Sequence, residues 1–356
     1  MPETVKLTAI TSRAWEHPAD RAALNALRAL PGFDEAVRRV MGFLGERGVR
    51  QLFLGSAVRV GANQRPGLNR LYNEVLETLD APERWDLYVA QTPIANAMAV
   101  GFQRPFIVFH SGMLEILDED ERRAVLAHEV GHIMSGHTTY TTLAVILLTI
   151  GIANIPTLAG IALLPFELAL LEWYRKSEFS ADRAALLGTQ DVRKAQSVNL
   201  KLAGGPVLDD PIDLDAFLAQ AREYETMTGP WDKVWQFINT AFRTHPFATV
   251  RAGELQRWID SGEYERILRG EYPRRGEEPP PYANDLKAAG GYYGDRAREA
   301  VNTVSEMVAR ARTAFSEAWR TGGSSNGGTG GTGGSGAGGT DAAGGASGSG
   351  SNNPTQ

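Results

Sequence analysis

Ala127-His128-Glu129-Val130-Gly131-His132 is an HExxH stretch, and the rest of the chain has to be consistent with it. On a helix, positions four apart share a face, so His128 and His132 present two imidazole nitrogens to one point. Asp118 and Glu121 upstream form a D-x-x-E capping pattern that starts such a helix just before RRAVLAHEVGH. Two imidazoles one turn apart suit zinc, and a catalytic zinc takes a third protein ligand while keeping one position open for water. Glu129 is not needed as a ligand, and its carboxylate is suited to take the proton of that water and pass it to a leaving amine. The chain has no cysteine, so the third ligand must be a histidine or a carboxylate.

Reading onward from His132 supplies a candidate. Thr138 to Phe166 holds no charged residue, and its strongest apolar runs are LAVILLTIGIA and LAGIALL. Gly151, Pro156, Gly160 and Pro165 interrupt it, and the runs are shorter than the roughly 20 residues a spanning helix needs. A helical hairpin over 138–172 is expected, with its outward and return arms nearly equal about Pro156, which brings residues near 178 back level with the motif. There LEWYRKSEFSADRAALL places Glu178 and Asp182 four apart on one helical face. Glu178 is the expected third ligand. Asp182 is expected to accept the free ring N–H of a ligand histidine, fixing its tautomer. The HExxH helix is expected to run on past His132 into the hairpin as one rigid element, with His137 at a helix end or behind the ligands.

Partial membrane insertion, a contact between copies and plain burial are all open for the hairpin 138–172. Arg122, Arg123, Arg175 and Lys176 flank its catalytic end and none lies at its tip, which puts the catalytic side in the cytoplasm if it inserts. The N-terminus has no basic region followed by an apolar core, so no secretory signal is expected and a cytoplasmic catalytic portion is the default. A formal charge of −6 over 356 residues gives no electrostatic reason to expect nucleic acid.

Around this centre the chain divides by pattern. Residues 1–80 form a helical region, with helices over 19–30 and 33–47 about a Pro31-Gly32 turn, a strand or helix over 49–60, and a helix over 68–79. From Trp85 the period changes to 2, and WDLYVA, IANAMAVGF and PFIVFH read as three short strands with a turn at Gln103-Arg104-Pro105. The run 94–102 is either an edge strand able to hold an extended peptide or an ordinary inner strand. Helices follow over 191–203, 214–227, 231–242 and 249–259; the catalytic domain spans 81–272. His245 and Arg251, at the Thr244-His245-Pro246 junction, are either exposed caps or oxyanion donors. A Pro-rich linker (273–285), an amphipathic helix (286–321) and a disordered Gly/Ser-rich tail (322–356) complete the chain. The fold class is therefore α+β and mostly helical, with a small sheet, an active-site helix and an apolar helical hairpin.

HExxH, then E-x-x-x-D at Glu178 to Asp182, then Thr244-His245-Pro246 with Arg251 six residues after the histidine, resembles the HtpX and CaaX prenyl-protease family of zinc metalloendopeptidases. The resemblance covers about Trp85 to Ile259. It implies a zincin-like core, one catalytic Zn2+, Glu178 as third ligand, Glu129 as base, and His245 and Arg251 near the oxyanion. Asn96-Ala97 resembles that family's substrate-side strand. The function expected is hydrolysis of unfolded or membrane-proximal polypeptides. The rival from another class is a zinc-stabilised, chaperone-like client binder that hydrolyses nothing; a hydrolase of non-peptide amides is a third reading. A site that was only structural would have no use for Glu129 or an open ligand position.

Overall fold

The computed structural model describes residues 4–28, 33–150, 157–208, 210–227 and 243–277. The Pro31-Gly32 turn, the hairpin tip at 151–156, the expected helix over 231–242, the linker beyond 277, the helix of 286–321 and the glycine tail lie outside these residues.

The N-terminal helices are α1 (Pro18–Arg28) and α2 (Phe33–Leu54), the latter bent at Gly45, whose φ of 58° lies in the left-handed region. The segment over 49–60 is partly helix and partly strand: α2 runs to Leu54 and β1 covers Ala57–Arg59. After α3 (Pro66–Thr78) come β2 (Asp86–Ala90), β3 (Ala97–Val100) and β4 (Phe106–His110). The sheet order is β1-β2-β4-β3, with β2 parallel to β4 and the outer pairings antiparallel. Buried on both faces, β4 is apolar throughout Phe106–Phe109. β3 lies at the sheet edge, which decides the question the sequence left open.

That edge is only partly free. His110 N–H donates to Asn96 O (3.0 Å), so ladder alternation turns the amides and carbonyls of Ala97 and Ala99 away from β4. Ala99 O already accepts from Thr141 Oγ1 (3.3 Å), and Gly101 N–H donates to Thr142 Oγ1 (2.8 Å). The stretch around Ala97 is left to pair with an extended chain.

Short α4 (Ser111–Ile116) leads into α5 (Glu119–Met134). The capping box is formed as the sequence dictates: Asp118 Oδ1 accepts from Glu121 N, and Glu121 Oε2 accepts from Asp118 N. α6 (Thr138–Ile150) and α7 (Thr157–Thr189) are the hairpin arms. Two expectations are corrected here. α5 does not continue into the hairpin: Gly136 adopts φ +70°, and the amides of Gly136 and His137 close on the carbonyls of Ile133 and His132. Nor do Gly160 and Pro165 break the return arm, because the α7 backbone stays helical through both. A proline at that place costs about 3 kcal/mol, offset by the deep burial of α7 from Ala169 onward. Among the described residues no helix is long and apolar enough to cross a membrane. At the base of the hairpin, Leu143, Ala144 and Ile146 are buried within the protein.

α8 (Val192–Gly204), α9 (Leu214–Thr226), α10 (Ala248–Asp260) and α11 (Glu263–Leu268) complete the described structure. One large apolar cluster joins α3, the sheet, α5, α7, α8 and α10, and it also takes in Leu7, Ile10 and Trp15 from the N-terminal segment. At its centre α5 and α7 cross very closely. A Cβ on Gly131 would stand 2.4 Å from Ala184 Cβ, and one on Gly188 would stand 2.3 Å from Ala127 Cβ. These two glycines set how near the helices approach, and so how near Glu178 comes to the histidines.

Candidate metal centre

α5 buries His128, Glu129 and His132, and α7 brings Glu178 and Asp182 against them. His128 Nε2 and His132 Nε2 are 3.2 Å apart. Glu178 Oε2 stands 3.4 Å from the first and Glu178 Oε1 stands 3.3 Å from the second. Among the described residues these three side chains are the one group of His, Asp and Glu close enough to share a metal ion, their ligand atoms all lying within 4.8 Å of one another.

The donor set fits a metal on its own terms. Both Glu178 oxygens are buried without a hydrogen-bond partner, an arrangement that costs several kcal/mol unless a cation completes it. Burial works against its charged form, yet His245 and the two histidines hold the Glu178 carboxyl well below the usual range. Burial also disfavours an imidazolium on either histidine; it drives His132 down to about 4, whereas Asp182 and Glu178 lift His128 to about 10. Two imidazoles and one carboxylate, with no thiolate in the chain, are the ligand chemistry of an open zinc site.

The groups behind the ligands are ordered. His128 Nδ1–H donates to Asp182 Oδ1 (3.1 Å), as expected of Asp182. Arg251 donates from Nε to Asp182 Oδ2 (2.8 Å) and from Nη2 to Oδ1 (2.5 Å), with Nη1 3.5 Å from Glu178 Oε2. Two of its donors are thus engaged in a bidentate clamp on Asp182, while the guanidinium also lines the cleft. His245 is partly exposed; its Nδ1 meets Thr244 Oγ1 (2.8 Å) and its Nε2 lies 3.6 Å from Glu178 Oε1.

A cleft of about 640 Å³ opens over these groups. His128, Glu129, Asp182, His245 and Arg251 line it, as do Asn96 and Ala97 from the start of β3. Val125, Val198, Leu202 and Leu255 give it an apolar wall. Burial pushes the Glu129 carboxyl up to about 7, with Glu178 adding to the rise while His128 and a backbone hydrogen bond from Ala99 oppose it. Seven of the nine side chains singled out in the sequence line this cleft, and the other two, His132 and Glu178, are buried against His128.

Sequence reasoning missed one part. His132 Nδ1 contacts His137 Nδ1 (2.9 Å), and His137 Nε2 contacts Asp20 Oδ2 (3.0 Å) on α1. The position of His137 suits either a helix end or a place behind the metal-binding group, and nothing in the sequence distinguishes Asp20 from an ordinary acidic residue in the first turn of a helix.

A buried His–His–Glu set able to hold a metal, beside a partly free strand edge and with a second carboxylate next to His128, is the site of a metalloprotease. Residues 62–259 match Peptidase family M48, and the chain belongs to that family. It is similar to the plastoglobule-localized metallopeptidase 48, chloroplastic, of Arabidopsis thaliana, 38% identical over 259 residues that cover 72% of this chain and 75% of that one. It is also similar to the protease HtpX homologs of Campylobacter concisus (24% identical over 231 residues, 57% of this chain and 77% of that one) and Helicobacter pylori strain Shi470 (26% over 226 residues, 56% and 69%). No solved structure matches.

Proposed function

We propose that this metalloprotease is a zinc-dependent endopeptidase acting on unfolded or membrane-proximal polypeptides, with His128, His132 and Glu178 as the metal ligands and Glu129 as the general base. The observation that carries the reading is the Glu178 carboxylate, wholly buried and without hydrogen-bond partners between two imidazole nitrogens.

When bound, zinc would supply a water acidified to a pKa of about 7 and would polarise the scissile carbonyl. Glu129 lines the cleft beside His128 and has one oxygen, Oε2, without a hydrogen-bond partner, so it is able to take the water's proton and return it to the leaving amine. A carboxyl near 7 can do both at neutral pH. Asp182 holds the ring of His128, and Arg251 holds Asp182. His245, which lines the cleft with its Nε2 3.6 Å from Glu178 Oε1, takes the oxyanion role. The outward backbone groups of Ala97 on the β3 edge pair with the substrate backbone beside Asn96, which also lines the cleft, and this favours extended, unfolded chains over folded ones.

The Arabidopsis relative is by name plastoglobule-localized. Together with the uncharged run of 138–166, this supports a peripheral association of the hairpin with a membrane surface. The zinc assignment is tested by stripping the protein with a chelator and reading casein cleavage. Cleavage should vanish and return on adding Zn2+; a stripped protein that still cleaves would overturn it.

A further inference from the structure

We propose that Asp20 of α1 is a positioning residue of the metal centre, acting through His137 to fix the tautomer and ring orientation of His132. The inference rests on the metal-centre reading and adds to it a residue outside the region that matches the family.

The hydrogen-bond chemistry runs one way along the chain. Asp20 accepts from three donors: Trp173 Nε1–H on Oδ1 (3.0 Å), Ser180 Oγ–H on Oδ2 (2.6 Å) and His137 Nε2–H on Oδ2 (3.0 Å). Indole N–H can only donate. Ser180 Oγ already accepts from the backbone amide of His17 (2.9 Å), so its proton is free to point at Asp20. With Nε2 of His137 carrying the proton, a neutral His137 has its lone pair on Nδ1, which faces His132 Nδ1 at 2.9 Å. His132 must then donate from Nδ1, and this leaves the lone pair of Nε2 directed at the Glu178 and His128 cluster. That is the one neutral tautomer able to bind a metal through Nε2.

Burial makes the arrangement rigid. Asp20, His137, His132, Ser180 and Trp173 are each at most 4% exposed. Trp173 also packs edge-on against the His137 ring, with centroids 5.6 Å apart. The two candidate ligand histidines are thus served by separate carboxylates: His128 by Asp182 directly, His132 by Asp20 through one intervening imidazole. The left-handed turn at Gly136 makes the second route available, because it folds His137 back beneath His132.

The test uses the full chain and Zn2+ in competition with a chromophoric chelator. Asp20→Asn keeps the shape, but an amide cannot accept all three donors, so zinc affinity should fall by about tenfold to a hundredfold. Val49→Ala is the control: Val49 is fully buried on α2 in a cluster with Tyr88, Phe106 and Val108 that holds none of the relay residues, so that variant should lose thermal stability while keeping wild-type zinc affinity. Equal affinity in wild type and Asp20→Asn, or an equal loss in Val49→Ala, would overturn the proposal. A second readout needs no variant to fold: long-range 1H–15N spectra of the histidine rings should show His132 protonated at Nδ1 and His137 at Nε2 alone. A proton on His137 Nδ1 would overturn it. If the wild type takes up no zinc, the metal-centre reading falls, and the spectra still decide the relay in the metal-free protein.

Discussion

At the scale of single residues, the centre is a balance between burial and charge. Glu178 is the residue whose loss should matter most to the metal, since it is fully buried and neither of its oxygens has a hydrogen-bond partner. Glu178→Ala should weaken zinc binding by at least about a hundredfold, read by chelator competition, while leaving the fold intact by circular dichroism. Arg251→Lys should not behave as a conservative change. A single ammonium cannot reproduce the bidentate clamp on Asp182, so kcat/KM on a casein-like substrate should drop by about tenfold or more. The grouping of His128, His132 and Glu178 was legible in the sequence because i,i+4 spacing and hairpin arithmetic are local rules. The clamp was not. A guanidinium near a site reads equally as an oxyanion donor or as a partner for a carboxylate, and its pairing with Asp182 is visible only where α10 packs on α7.

At the scale of elements, the closest constraint is the α5–α7 crossing. Gly131→Ala or Gly188→Ala would place a methyl group within 2.4 Å of another Cβ, so each should force the helices apart. A stability loss of about 1–3 kcal/mol is expected, accompanied by weaker zinc binding, because His128, His132 and Glu178 are shared between the two helices. A second expectation concerns α1. Burial drives His17 down to about 4, helped by Arg183 and Lys176 and opposed by Glu254. The folded protein therefore refuses a proton that the unfolded chain accepts near 6.5. Stability should fall as pH drops from about 6.5 to about 4 and level off below, by on the order of 3 kcal/mol. His17→Asn, which keeps a capping acceptor for Ala19 N–H, should remove that part of the slope in denaturant titrations; an unchanged slope would contradict it. The capping box, the three strands and the hairpin were legible as periodicity and turn chemistry. The end of α5 was not, because no proline, Asp, Glu, Lys or Arg interrupts Ser135 to Thr142, and a left-handed glycine shows itself only in backbone angles.

At the scale of the whole molecule, the N-terminal segment is part of the catalytic body. Trp15 donates to Ser135 at the end of α5, and Arg183 of α7 reaches the Trp15 and Glu16 carbonyls. Ile10 bridges to Arg274, closing the two ends of the described chain together. None of this was legible in the sequence, because contacts between residues more than a hundred positions apart leave no periodicity. It sets the cleft with its apolar wall on α5, α8 and α10 and the free part of β3 at its rim. In the proposed mechanism this cleft hydrolyses peptide bonds with Glu129 as the base. The direct measurement compares the wild type with Glu129→Gln for zinc content and for cleavage of an unfolded casein-like substrate. The variant should hold zinc as the wild type does and lose cleavage by about a hundredfold or more; equal cleavage by the two proteins would contradict the claim.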